Sequence, residues 1–190
     1  MADYTVIADV SRTLIQLFRD HLVPEPVSQP ERIGLASPAD KGDLVLSLFL
    51  YNIQENGLNR QSFMTPRGSN GLQHPPLSVD LHYLITAHSS AEVATRALDE
   101  HSILGRAVQV LYDNATLKGS VLQGSLGYSD EELRVVFEPI SMDTMVSLFP
   151  SNSPYKLSFS FTVGPVYIDS ERVRPMRRVT ASEPKLEDME

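Results

Sequence analysis

The chain contains no cysteine and no tryptophan. Without cysteine there is no disulfide, no thiolate nucleophile and no cysteine-based zinc site. Positive charge is also scarce. Sixteen Lys and Arg stand against 24 Asp and Glu, a formal net charge of −8, which argues against general affinity for nucleic acid. The N-terminus, MADYTVIADVSRTL, lacks the basic start and continuous apolar core of a signal peptide. No apolar run approaches the roughly 20 residues of a membrane span. The glycines of GSVLQGSLG at 119–127 come without a P-loop lysine and hydroxyl. A nucleophile elbow and internal repeats are missing as well. What remains is a chain of 190 residues, 42% hydrophobic, enough for one domain with a full core. It is expected to be cytoplasmic and to need no cofactor.

The organising stretch is Pro75 to Ser90, PPLSVDLHYLITAHSS. Leu77, Val79, Leu81, Tyr83, Ile85 and Ala87 alternate with Ser78, Asp80, His82, Leu84, Thr86 and His88, the period of a long strand with one apolar face. Before it, residues 4–22 read as an amphipathic helix on Val6, Ile7, Val10, Leu14, Leu17, Phe18 and Leu22. Three prolines make 23–31 an extended connection, and Arg32 to Ala36 a short edge strand. Asp43 to Gln54 is a second long strand, apolar on both faces and therefore expected to be central. If it pairs with 77–88, the two form an antiparallel hairpin with residues 55–76 at its tip.

Downstream, Ala91 to Asn114 carries Val93, Ala97, Leu98, His101, Leu104, Val108, Leu111 and Tyr112 on one stripe, expected to lie across the sheet. Gly105 inside that helix costs about 1 kcal/mol relative to alanine, which a close approach would explain. Residues 115–130 read as a loop and Glu132 to Glu138 as a short strand. Ser141 caps a short helix from Met142 to Phe149. Tyr155 to Ile168 is a further strand, with Leu157, Phe159, Phe161 and Val163 inward and Lys156, Ser158, Ser160 and Thr162 on a wet face, broken at Gly164-Pro165. The expected fold class is α+β: a mixed, mainly antiparallel sheet of four to five strands flanked by helices. Residues 1–170 form the domain, and 171–190 an extended arm, disordered in part.

Three constellations are candidates for function. The loop at 55–76 is long for a compact domain, and carries Arg60 and Arg67 beside Phe63 and Met64. The arm brings Arg172, Arg174, Arg177 and Arg178 together, suited to a partner's carboxylates. Asp80, His82 and His88 share a strand face by parity, with His101 downstream. However, six strand residues separate the two histidines, roughly 20 Å at about 3.3 Å each, so one metal cannot take both on a straight strand. Neither a catalytic residue nor a metal ligand is therefore assigned.

Four stretches in order, IADVSRTLIQLFRDHL, LSLFLYNIQEN, PPLSVDLHYLITAHSS with EHSILGRAVQVLYDN, and PYKLSFSFTVGPVYIDS, resemble the cap or tail-terminator proteins of phage-tail-like extracellular contractile injection systems. The resemblance spans roughly residues 5–170. It implies a structural protein rather than an enzyme. The protein would form a ring, hexameric, at the distal end of the inner tube and contractile sheath, ending their growth and sealing the particle. The implied partners are further copies of the chain, the tube protein and the sheath protein, with no nucleic acid and no membrane. Assembly would be cytoplasmic, in a particle that is afterwards released. The loop residues Arg60, Phe63, Met64 and Arg67 would then contact the tube, and the arginines of the arm the sheath. A cap could also add or accept a strand at a sheet edge. Another ring component of the same machine, such as a baseplate adaptor, and a metal-dependent hydrolase built on Asp80, His82 and His88 are the alternatives.

Overall fold

A computed structural model describes residues 4–68, 71–128, 130–149 and 155–175. Helix α1 (Val6–Leu22) is followed by strands β1 (Ile33–Leu35), β2 (Leu46–Glu55), β3 (Thr65–Arg67), β4 (Gly71–Gln73) and β5 (Leu77–Ala87). Then come α2 (Val93–Asp113), β6 (Thr116–Lys118), β7 (Glu132–Phe137), α3 (Met142–Ser147), β8 (Ser158–Ile168) and β9 (Val173–Pro175). The fold is α+β and mainly antiparallel, as the patterning requires. There are more strands than expected: a six-stranded sheet in the order β1-β2-β5-β8-β7-β6 and a separate three-stranded sheet in the order β3-β4-β9. β1 runs parallel to β2, and the other pairs of both sheets are antiparallel.

β5 is central and pairs along its length with β2 and β8. Its odd-numbered residues Leu81, Tyr83 and Ile85 are completely buried. They meet the apolar stripe of α1, whose Val6, Val10, Leu14, Phe18 and Leu22 join the same core. Tyr83 stacks on Phe161 at 5.6 Å between ring centroids, and its hydroxyl lies 2.8 Å from Ser11 Oγ. Burial raises the Tyr83 pKa to about 12, so the phenol stays protonated.

Three expectations change in detail. β2 is buried only over Leu46 to Leu48; from Asn52 to Glu55 it is exposed. The reason is the shortness of β1, which pairs with 46–48 alone and leaves the outer edge of β2 open beyond Leu48. The supposedly wet face of β8 is partly closed, since Ser158 and Ser160 are buried. Their hydroxyls are satisfied across the sheet, Ser158 with Thr86 at 2.8 Å and Ser160 with Tyr51 at 2.9 Å. Finally, α2 buries Ile103, Leu104, Ala107, Val110 and Leu111, so Val93, Leu98, His101, Val108 and Tyr112 of the expected core stripe face outward.

Candidate docking surface

The long loop begins at Asn56. Its side-chain oxygen accepts a hydrogen bond from the Asn59 amide at 3.0 Å, capping a single 3-10 turn at Gly57–Asn59. Its amide nitrogen donates to both carboxylate oxygens of Asp80, at 3.0 and 2.9 Å. Asp80 sits where the β5–β8 register shifts between Val79 and Leu81. Gly164 lies against it, and a Cβ there would collide with the carboxylate. The start of the loop is thereby fixed to the middle of the main sheet.

Further along, the loop is a small sheet rather than an open excursion. β3 and β4 form a hairpin with Thr65 opposite Gln73 and Arg67 opposite Gly71. β4 then pairs on its other side with β9, Leu72 opposite Arg174 and Gln73 opposite Val173. Gln73 is buried, and its amide donates to the Ser170 carbonyl at 2.6 Å. The His74 amide donates to the Arg172 carbonyl at 3.0 Å. Gly71 is required by packing: a Cβ there would stand 2.8 Å from Val173 Cγ1 and 3.0 Å from the Arg67 carbonyl. Two segments about a hundred residues apart in the sequence are joined in one element. The sequence carries little signal for this, because three-residue strands have almost no periodicity.

The named residues distribute as follows. Phe63 is 85% exposed and Met64 half-buried, while Leu58, which sequence reasoning passed over, is 99% exposed. Arg60 approaches Glu55 at 3.9 Å with both side chains largely in solvent, a pair of little energetic weight. Arg67, Arg172 and Arg174 have no ion pair among the described residues. Strand alternation sets Arg67 on one face of the small sheet and Arg172 and Arg174 on the other. Arg177 and Arg178 lie outside the described residues. A cavity of about 410 Å³ lies where the loop and the arm leave the main sheet, and Arg60, Arg172, Glu55, Asp169 and His74 are among its lining residues.

Asp80, His82 and His88 do not converge. Asp80 is held by Asn56. His82 places Nδ1 2.7 Å from Glu138 Oε2, with Thr162 bonded to the same oxygen. The Thr162 hydroxyl lowers the Glu138 pKa; burial opposes this, and His82 adds to the lowering. His88 places Nε2 2.8 Å from Ser47 Oγ. Burial first, then Lys156 and Lys41, depress its pKa to about 4. Each group has its own structural partner, and no three His, Asp or Glu among the described residues are arranged to hold a metal.

The Pvc16 N-terminal domain family matches residues 9–182. The chain belongs to that family. Two solved structures share the fold of this Pvc16-type domain. One is the sheath/tube terminator of PVC, an extracellular contractile injection system, in its extended state: TM-score 0.66, 19% identity, covering 100% of this chain and 66% of that one. The other is the tube-terminating cap of the anti-feeding prophage: TM-score 0.57, 18% identity, covering 94% of this chain and 61% of that one. The Pvc16-type chain thus spans a little under two thirds of these relatives. No curated protein matches it.

Proposed function

We propose that this Pvc16-type chain is a non-catalytic cap. It forms a ring, hexameric by the resemblance, at the end of the inner tube and sheath of a contractile injection particle, stops their growth and seals the end. The observation that carries this reading is the family match together with a shared fold in two terminators. The small sheet supports it. A terminator must meet two concentric structures at once, and here the loop and the arm are held side by side with three arginines that have no ion pair among the described residues and two exposed apolar side chains, Leu58 and Phe63. Such a surface gives charge-steered contact around apolar anchors. In this reading the loop meets the tube and the arm meets the sheath. Residues 1–170 are the capping domain, and the rest of the arm is a docking extension.

The test is to produce particles with a chain carrying Leu58→Ser, Phe63→Ser and Arg67→Ser. These side chains are exposed, so folding should be unaffected. Electron microscopy should show particles of irregular length, and cap density missing from the end away from the baseplate. Normal, sealed particles would refute the loop assignment. Density for the native chain only at the baseplate end would refute the cap reading in favour of an adaptor.

A further inference from the structure

Helix α2 is apolar over a wider arc than the fold uses. Beside its buried stripe runs a second one, Ala94, Ala97, Leu98, His101, Gly105, Val108 and Tyr112, at three- and four-residue steps and exposed throughout. Leu98 is 70% and Tyr112 75% exposed. Gly105 sits in the helix interior, where glycine costs about 1 kcal/mol against alanine. A Cβ built on it meets nothing within 4 Å, so no contact among the described residues requires its absence. The stripe borders an apolar groove of about 320 Å³ lined by His101, Leu104, Gly105, Val108, Leu157 and Phe159.

Resting on the ring reading above, we infer that this side of α2 is where one copy of the chain packs against the next. Two arguments select a second copy. First, copies of net charge −8 repel one another, so they meet most readily on a face without ionised side chains. The stripe carries no Asp, Glu, Lys or Arg, whereas the small sheet is rich in arginine. Interfaces between permanently associated copies have the same bias, apolar and depleted of charge. Second, the area is adequate. Val93, Leu98, Val108, Tyr112 and Leu157 leave several hundred Å² of apolar surface open. That is the upper end for a lone chain, and most of the about 800 Å² per partner in a standard interface. Gly105 then has a reason, the close approach of a neighbour's backbone.

Because the chain has no cysteine, a single introduced thiol can carry a photo-crosslinker. Tyr112→Cys places it on the stripe, and Ser102→Cys on the polar side of the same helix as the control. After irradiation of assembled particles, the position-112 label should join two copies of the chain, at least tenfold more than the position-102 label. An adduct of position 112 with tube or sheath protein, or equal yields from the two positions, overturns the inference. Separately, a Val108→Glu, Tyr112→Glu chain should keep its helical signal and show the mass of one chain by light scattering, where the native chain gives a multiple. A double variant with the native chain's mass overturns the inference too. Native particles sealed at normal length alongside either overturning result leave the cap reading standing, so the two failures are distinguishable.

Discussion

Asp9 accepts hydrogen bonds from the Ser125 amide and hydroxyl, at 2.9 and 2.7 Å, and is 2% exposed. One turn on, Thr13 Oγ1 accepts the Gln123 amide at 2.9 Å. Together they fasten the 119–128 segment to α1. Gly124 completes the arrangement, with φ at +64° and no room for a Cβ against the Asp9 carboxylate. Burial alone would raise the Asp9 pKa; the two Ser125 bonds and Arg12 more than reverse this and hold it below the usual carboxylate value. Its contribution is present above the unfolded pKa and is lost only as pH falls through the lower folded one. His88 acts over a more accessible window. Its pKa is 6.5 in the unfolded chain and about 4 in the folded one. Between these values the unfolded chain binds the extra proton, so stability rises with pH there and is complete above about 6.5. Urea titrations from pH 7 to pH 4 should show a loss approaching about 3 kcal/mol attributable to this group. A His88→Gln chain, which keeps a donor toward Ser47, should lose correspondingly less. Parallel pH profiles for the two chains would contradict the assignment.

At the scale of elements, α2 sets up a measurable conflict. In the one-chain Val108→Glu, Tyr112→Glu background, Gly105→Ala should stabilise by about 1 kcal/mol, because alanine is the better helix former and the added methyl has open space. In the otherwise native chain the same change should weaken association. A destabilised single chain would show that Gly105 serves the fold itself. How far the elements were legible follows from their length. α1, β2, β5 and β8 are 10 to 17 residues long, long enough for their period to identify them, and the antiparallel β2–β5 pairing is the hairpin the sequence suggests. β3, β4 and β9 have three residues each and exist only because they find one another, which no local pattern records. The α2 stripe was legible as apolar but not as exposed. Periodicity places Val108 and Leu111 on the same broad face, and only the docking angle of the helix decides that Leu111 is buried and Val108 is not. Of the candidate site, the loop and the arm were recognisable separately, through length and arginine content; their union was not.

For the whole molecule, two exposed surfaces differ in charge. A chain of net charge −8 presents Arg67, Arg172 and Arg174 at the small sheet, and on α2 an exposed strip without Asp, Glu, Lys or Arg. In the proposed cap, that difference would separate contact with other components, which is sensitive to salt, from contact between copies. β4 adds something to the first of these. It is the middle strand of three, with the loop strand on one side and the arm strand on the other. A partner that immobilises the arm therefore stiffens the loop, and a partner on the loop stiffens the arm, so the second contact is made at a smaller entropic cost than the first. Phe63→Ser and Arg172→Ser, tested singly and together for retention on particles, should show this as non-additivity. The double variant is expected to lose less binding free energy than the two single variants added; strict additivity would mean that the strands respond independently. The device is a latch with two catches on one bar. In the proposed cap it would hold where tube and sheath finish level, and a tube that has outrun its sheath would offer one catch and be let go.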